Sequence, residues 1–251
     1  MNFKGPSCLM DEIKEFVDER QKTWCIHCAR TLASRPTNRD HVPTKSLLRP
    51  PLPGNLPVVE VCTECNESFS RDEQYTVAFL GAVISGTTDP ERQIHSRAGS
   101  ILRKASALRA RIDASRIVTR DLFGVETVTW KPEQDRINNV ILKNARGHAF
   151  FEFGEPMLNS PASVASCPLS TLSVKERSAF ESNPDGGVFP EVGSRMMTRV
   201  LTGQDLDGDW VVVQDGVYRY AVAQAGTLMV RSVIFEYLAT EIGRASCRER
   251  V

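Results

Sequence analysis

Apolar side chains recur at helical spacing in several stretches of the chain, with polar residues between them. The longest such stretch is 91–120, and Asp89 followed by Pro90 just before it is typical of a helix start. Ser70 and Glu73 fit a capping box at the start of another helix. The predicted helices span 10–22, 66–81, 91–120, 132–151 and 173–181.

Several segments later in the chain have the composition and alternation that are typical of strands. Asp215 and Gly216 form a hairpin-turn signal between WVVVQ and VYRYAV. The segment 227–239 predicts a final strand, or a strand that passes into a helix. Loops are expected where Pro, Ser and Gly accumulate, over 24–66 and 154–188. The predicted strands span 123–130, 196–201, 210–213 and 227–239.

The succession of these elements predicts an α+β protein without internal repeats. We expect a module that carries two cysteine pairs near the amino terminus, a helical middle and a β-rich carboxyl-terminal region. The expected divisions are an N-terminal helix at 1–23, the cysteine module at 24–80, a helical region at 89–151 and a β-rich region at 188–241.

Composition narrows the class of protein. The chain has 251 residues, of which 41% are hydrophobic and 25% charged, so disorder of the whole chain is not expected. No apolar run reaches the roughly 18 residues of a membrane span. The first twenty residues are acidic and lack the apolar centre of a signal peptide. We therefore expect a cytoplasmic protein that does not bind membranes.

The last ten residues, IGRASCRERV at 242–251, form an unusual end. They can be back-translated without interruption into the end of a standard sequencing adapter, so we expect a non-native read-through, with a genuine basic tail as the alternative. The whole chain has 31 basic and 31 acidic side chains. Without the tail's three Arg and one Glu, 28 basic and 30 acidic side chains remain. The native part therefore has a net charge of about −2.

Two CxxC pairs stand in a loop-rich segment and predict a structural zinc site. Four thiolates close a tetrahedral shell and leave no position for water. Disulfides are the alternative, but thiols are favoured in a cytosolic setting. His27 lies inside the first pair and is a less favoured ligand, while Cys8 and Cys167 have no partner spacing. The four predicted ligands are Cys25, Cys28, Cys62 and Cys65.

The residues around these pairs resemble the HNH endonuclease family over about residues 24–76. The resemblance is carried by CIHC, by RDHVPTKSL between the two pairs, by GNLPVVEVCTECN and by SFSRDEQY. An Asp-His-Val-Pro between two CxxC pairs, with Asn66 directly after the last cysteine, is specific in combination. The resemblance implies a ββα-metal module, which is a β-hairpin and a helix that hold one divalent ion between them.

The resemblance also implies roles for individual residues. His41 would be the general base that takes a proton from the attacking water, and Asp40 would bind the catalytic ion. Asn66 would be a second ligand or would orient water. Asn55 matches the family's central Asn less well, because it precedes Cys62 by seven positions rather than the usual five. Glu73, two helical turns after Asn66, is a candidate further ligand.

These residue types suit the hydrolysis of phosphodiesters. A hard divalent cation with oxygen ligands, Mg²⁺ or Mn²⁺, neutralises charge on the phosphoryl oxygens. A neutral imidazole, whose ordinary pKa is about 6.5, can activate water at neutral pH. A local surplus of +4 over 30–49 and of +6 over 91–120 suits contact with a phosphate backbone, although a solvated surface is the competing explanation. The candidate contact residues are Arg39, Lys45, Arg49, Arg103 and Lys104.

We therefore expect a metal-dependent endonuclease whose partner is nucleic acid, with DNA favoured over RNA by the resemblance. One alternative is a zinc-stabilised module that binds nucleic acid without cleaving it. A second alternative is a protein-interaction module in which 120–240 bind a partner and the zinc unit is a scaffold.

Overall fold

The computed structural model describes residues 21–120, 122–182, 190–224 and 228–243. The chain forms two units, one of residues 1–66 and 142–251 and the other of residues 67–141. We call them unit 1 and unit 2. The helix predicted at 10–22 lies outside the described residues, except for its last two positions.

The amino-terminal part of unit 1 is a β-hairpin. Strand β1 (Thr37–His41) pairs antiparallel with β2 (Val58–Cys62), with Asp40 opposite Val59 and His41 opposite Val58. The sequence VVEVC favours a strand because its branched side chains pack well on a pleated sheet, and only Glu60 of β2 is exposed. The segment predicted as mainly loop therefore contains two strands.

A long helix follows the hairpin at once and leads into unit 2. Helix α1 (Thr63–Ser85) begins one residue after β2. This confirms the helix predicted at 66–81 and extends it at both ends. Ser70 lies inside the helix rather than before it, so the capping box predicted at Ser70 and Glu73 is wrong.

Unit 2 continues with two short helices and a second hairpin. After the 3-10 turn Pro90–Arg92 come α2 (Ser96–Lys104) and α3 (Ser106–Ala114). Strands β3 (Arg116–Arg120) and β4 (Glu126–Trp130) then pair antiparallel. Helix α4 (Gln134–Phe153) runs from unit 2 into unit 1 and confirms the helix predicted at 132–151.

The single helix predicted over 91–120 is wrong. The Asp89 side chain caps the 3-10 turn, and the His95 side chain caps a new helix by accepting a hydrogen bond from the Arg97 amide. The backbone leaves the helical region at Ala105, with φ −112° and ψ 73°. The last part, RIVTR, contains β-branched residues, which favour a strand, and it forms β3. The strand predicted at 123–130 is confirmed in part as β4.

The carboxyl-terminal part of unit 1 is an antiparallel sheet with two helices. The strands are β5 (Val164–Pro168), β6 (Leu206–Asp207), β7 (Trp210–Gln214), β8 (Tyr218–Gln224), β9 (Leu228–Ile234) and β10 (Leu238–Ile242). Their order in the sheet is β5-β10-β9-β8-β7-β6. The helices are α5 (Val174–Glu181), which confirms the short helix predicted there, and α6 (Arg195–Thr202).

Two strand predictions in this region need correction. The segment 196–201 is helical, because Ser194 caps its start and Gly203, at φ 71°, ends it. The segment 227–239 holds parts of two strands, because the chain reverses at Phe235 and Glu236, both of which have positive φ. The hairpin turn predicted at Asp215 and Gly216 is confirmed between β7 and β8.

The first residue of the predicted non-native tail is part of the sheet. Ile242 is fully buried at the end of β10 and lies opposite Val164 and Val230. Residues 244–251 lie outside the described part of the chain. None of the helices that the structure describes is both long and apolar enough to span a membrane.

The carboxyl-terminal half of α4 packs against the amino-terminal hairpin of unit 1. Gly147 lies so close to Val42 that a Cβ added at position 147 would stand 2.5 Å from a Val42 methyl carbon. Phe150, one helical turn later, belongs to the core beneath the hairpin. The buried members of that core are Cys25, Ile26, Leu32, Val42, Val59, Val61, Cys62 and Phe150.

Candidate functional site

The four cysteines of the two CxxC pairs converge on one point. Their sulfur atoms all lie within 4.8 Å of one another, and the Sγ atoms of Cys28 and Cys62 are 3.8 Å apart. In the part of the chain that the structure describes, this is the one group of three or more His, Cys, Asp or Glu side chains that is close enough to hold a metal ion. The prediction that the four cysteines come together is therefore confirmed.

Local backbone structure explains how the pairs meet. In the first pair a tight turn is closed by hydrogen bonds from the Ala29 amide to the Cys25 carbonyl and from the Cys25 amide to the Arg30 carbonyl, each 2.9 Å long. The second pair spans the end of β2 and the first turn of α1. The Thr63 amide donates to the Pro36 carbonyl, which ties the start of α1 to the start of β1.

The donor set fits zinc in both type and crowding. Burial and the neighbouring Cys25 sulfur raise the pKa of the Cys62 thiol, and burial and the other thiols raise that of Cys65. Backbone amides that face Cys25 outweigh its burial and lower its pKa. Sulfurs held this close repel one another as thiolates, and a divalent cation at their centre removes that repulsion. Four cysteine sulfurs are a donor set typical of structural zinc.

The predicted catalytic residues are distributed along the same hairpin and helix. Asp40 and His41 are the last two residues of β1, where Asp40 is buried and His41 half-buried. Asn66 lies in the first turn of α1, directly after Cys65. Asn55 lies half-buried in the turn that precedes β2.

Asp40 is engaged by two side chains of unit 1. Its Oδ1 accepts a hydrogen bond of 2.7 Å from Lys143 Nζ, and its Oδ2 lies 3.6 Å from His27 Nε2. Burial disfavours the carboxylate, but the hydrogen bonds and charge of His27 and Lys143 outweigh burial and lower the pKa of Asp40. Burial also lowers the pKa of His27, against the pull of Asp40. The carboxylate is therefore ionised and paired with an internal ammonium group.

Asp40 in this arrangement does not fit a divalent ion. An ion bound to its carboxylate would stand beside the ammonium of Lys143, whose side chain is only 3% exposed. Neither Asp40 nor Glu73 belongs to a metal-binding group among the described residues. Glu73 lies in the part of α1 that belongs to unit 2. The structure thus supports the zinc site and leaves the second ion as an expectation from the resemblance.

Comparisons with known proteins add no relative. No family model, curated protein or solved structure matches the chain. The resemblance therefore depends on the motif residues themselves, and the activity that it implies is a proposal.

Sequence reasoning missed the contribution of α4. In addition to the Lys143 contact with Asp40, the Asn144 side chain accepts a hydrogen bond of 3.1 Å from the Thr44 amide. Arg146 Nη1 donates to the His27 carbonyl at 2.9 Å, which places a guanidinium beside the cysteine cluster. No local signal marks these residues, because their partners are about a hundred positions away in the sequence.

A second buried polar cluster joins α4 to the carboxyl-terminal sheet. His148 and Tyr218 share a hydrogen bond of 3.0 Å, and the Tyr220 hydroxyl donates to Glu152 at 2.6 Å. Arg199 of α6 pairs with Glu152 at 3.0 Å. His148 is fully buried, and burial holds its pKa well below the usual range.

The predicted phosphate-contacting residues differ in their surroundings. Arg39 is exposed on β1, whereas Lys45 is half-buried in the turn that follows. Arg49 is half-buried too, with its guanidinium over the Phe235 ring and its amide bonded to the Gln214 side chain. Arg103 and Lys104 are exposed at the end of α2 in unit 2. Arg49 is thus engaged in internal packing.

Proposed function

We propose that this protein is a nucleic-acid endonuclease of the HNH type, with DNA as its substrate. The observation that carries the proposal is the position of Asp40 and His41. They end the first strand of a hairpin that a helix follows directly, and four clustered cysteines lie at the base of the same hairpin. The strand–strand–helix order and the Asn66 position in the first turn of the helix agree with what the resemblance implies.

In this proposal the four-cysteine cluster holds the hairpin and the start of α1 together, and His41 performs the proton transfer. The ring takes a proton from water, the water oxygen forms a bond to phosphorus, and the bond from phosphorus to the leaving deoxyribose oxygen breaks, with a solvent water giving that oxygen its proton. The four cysteines would hold a zinc ion that stabilises the fold rather than taking part in the reaction, because four thiolate ligands would leave no position open for water. The buried Asp40 holds the end of β1 through Lys143 and Thr44, since Lys143 Nζ also donates to Thr44 Oγ1 at 3.0 Å.

A second candidate function has an observation of its own. Lys143 pairs with Asp40 in the protein interior. The carboxylate that would bind the catalytic ion is therefore part of the buried core. That arrangement favours a zinc-stabilised module that binds nucleic acid without cutting it. The two functions differ in whether a divalent ion can draw Asp40 away from Lys143, so they make different predictions for cleavage and the same prediction for binding.

Nicking of supercoiled plasmid separates the two candidates. Wild type and His41→Ala are compared in Mg²⁺, Mn²⁺ and zinc-only buffers, and duplex binding is measured on the same samples. Asn38→Ala is the matched control, because Asn38 is exposed on the same strand. Nicking by wild type and Asn38→Ala but not by His41→Ala supports the endonuclease. Equal binding by all three with no nicking in any buffer supports the non-catalytic module.

A further inference from the structure

The hairpin formed by β3 and β4 in unit 2 has almost no core. Nine of its ten strand residues are exposed, and the tenth, Trp130, is half-buried. Leu122 and Phe123 at the tip are 102% and 90% exposed. An isolated two-stranded hairpin is at best marginally stable in water, and exposed apolar clusters of this kind mark binding surfaces. We call β3, β4 and the described tip residues 122–125 the arm.

The base of the arm is firmly anchored within unit 2. The Lys131 amide donates to the Ser115 carbonyl at 3.0 Å and so closes the hairpin. Glu133, just after β4, accepts ion pairs from Arg111 at 2.9 Å and from Arg136 at 2.8 Å. The Glu133 amide also donates to the Tyr75 hydroxyl at 2.6 Å. The arm is therefore a projection on a fixed base.

The helices that lead into the arm carry exposed positive charge. Arg97, Lys104 and Arg109 are exposed, and none of them forms an ion pair in the described part of the chain. Arg116 at the start of β3 is exposed as well. A second copy of this chain would bring like charges together at such a surface, whereas a phosphate backbone complements it.

From these features we infer that the arm binds duplex DNA. Helices α2 and α3 contact the phosphate backbone, and Leu122 and Phe123 insert into the minor groove as an apolar wedge. Proteins that kink DNA insert such side chains between base steps and place cations on the flanking phosphates. A two-stranded ribbon is also a known shape for entry into a DNA groove. The inference rests on the proposed function and specifies how its substrate is held.

Fluorescence anisotropy with a labelled 30-base-pair duplex tests the inference in the full-length His41→Ala background. Adding Leu122→Ser and Phe123→Ser should weaken binding about tenfold, in the range measured for loss of an aromatic contact to a base. The control is Val174→Ser with Leu201→Ser, because these residues are also exposed and apolar but lie in unit 1. Thermal melting and zinc content verify that both variants are folded.

Two further measurements distinguish insertion of Leu122 and Phe123 between base steps from non-specific hydrophobic binding. The fluorescence of a 2-aminopurine placed in the duplex should increase when the His41→Ala protein binds, because a wedge unstacks a base step. It should not increase with the tip variant, which carries Leu122→Ser and Phe123→Ser in addition. Changing Arg97 and Arg109 to Gln should instead reduce the slope of log affinity against log salt by about 2.

The outcomes distinguish failure of the inference from failure of the proposed function. If the wild type neither binds duplex nor nicks plasmid, the proposed function fails and the inference falls with it. If the wild type binds and nicks, but the tip variant keeps its affinity and its 2-aminopurine signal, the inference alone is overturned. Loss of self-association in the tip variant with unchanged DNA binding would assign the arm to a second copy and would also overturn it.

Discussion

Asp40 shows how a single side chain depends on its surroundings. By sequence it is the expected ligand of a catalytic ion, yet in the fold its carboxylate lies 2.7 Å from the ammonium of Lys143. A buried charge is stable only when it is paired, so each of these two groups requires the other. Any metal chemistry at Asp40 must therefore begin with displacement of Lys143.

Removal of Lys143 should reveal the strength of this pair. Lys143→Met leaves a buried carboxylate without its ammonium and should lower the free energy of unfolding by about 3–5 kcal/mol. Asp40→Asn combined with Lys143→Met should recover part of that loss. Urea unfolding measures the free energy of unfolding of both variants.

The control is Arg30→Gln, because the Arg30–Glu64 pair is exposed and should contribute at most about 1 kcal/mol to the free energy of unfolding. Equal losses in Lys143→Met and Arg30→Gln would refute the buried pair.

The cysteine cluster predicts a sharp dependence of folding on metal. Cys62→Ser should remove one zinc equivalent and unfold the amino-terminal hairpin, because metal-binding energy is folding energy in such sites. Zinc content by mass spectrometry and melting by circular dichroism measure the two effects. Cys167→Ser on β5 is the matched control, since Cys167 is a free cysteine outside the cluster. Full zinc content in Cys62→Ser would contradict a four-sulfur site.

His148 predicts a dependence of stability on pH. Its buried ring, which faces Tyr218, Tyr220 and the charge of Arg199, has a pKa well below the usual 6.5 and stays neutral in the fold. Below pH 6.5 the unfolded chain binds the extra proton, so stability falls as pH decreases, by up to about 1.4 kcal/mol per pH unit. His148→Gln should flatten this decline in urea unfolding between pH 7 and 5. An unchanged slope would show that His148 is protonated in the fold.

Helix α4 is the element that connects the hairpin, the cysteine cluster and the carboxyl-terminal sheet within unit 1. Its periodicity predicts a helix correctly, but not which face meets which partner. Gly147 is the clearest case. A glycine normally lowers the stability of a helix, whereas here it permits the close approach of Val42.

Gly147→Ala therefore has an expected sign opposite to the usual one. Alanine in place of glycine stabilises an ordinary helix by up to about 1 kcal/mol. Here the added carbon meets both methyl groups and the Cβ of Val42, at 2.5, 2.8 and 3.3 Å, so stability should fall by about 1–3 kcal/mol. Val42→Ala in the same chain should relieve part of the loss. The melting temperatures of Gly147→Ala, Val42→Ala and the double variant measure these effects. A gain in stability from Gly147→Ala alone would contradict the packing.

The elements that sequence predicts correctly are those with strong local signals. The turn at Asp215 and Gly216 and the cap formed by Asp89 each depend on a few neighbouring residues. The errors occur where a local pattern is ambiguous. Short stretches such as 196–201 suit a helix or a strand equally, and there the caps at Ser194 and Gly203 decide.

Across the whole chain, the sequence predicts one part of the candidate site and misses the other. The cysteine pairs have a spacing that specifies their geometry, so their convergence follows from the motif. Lys143 and Arg146 contact residues that are 103 and 119 positions away, and no pattern in one sequence records such pairings. The positive surplus over 30–49 likewise does not reveal that the Arg49 guanidinium packs over the Phe235 ring.

We propose that the end of β1 is a hydrolytic centre, and the first-order rate constant for plasmid nicking tests this role most directly. Wild type and His41→Ala are assayed at equal zinc content and equal duplex occupancy in Mg²⁺ and in Mn²⁺. Loss of a general base should reduce the rate constant by about 10²–10⁴-fold while duplex affinity stays the same. Equal rate constants in the two proteins, or no nicking by the wild type in either metal, would contradict the claim.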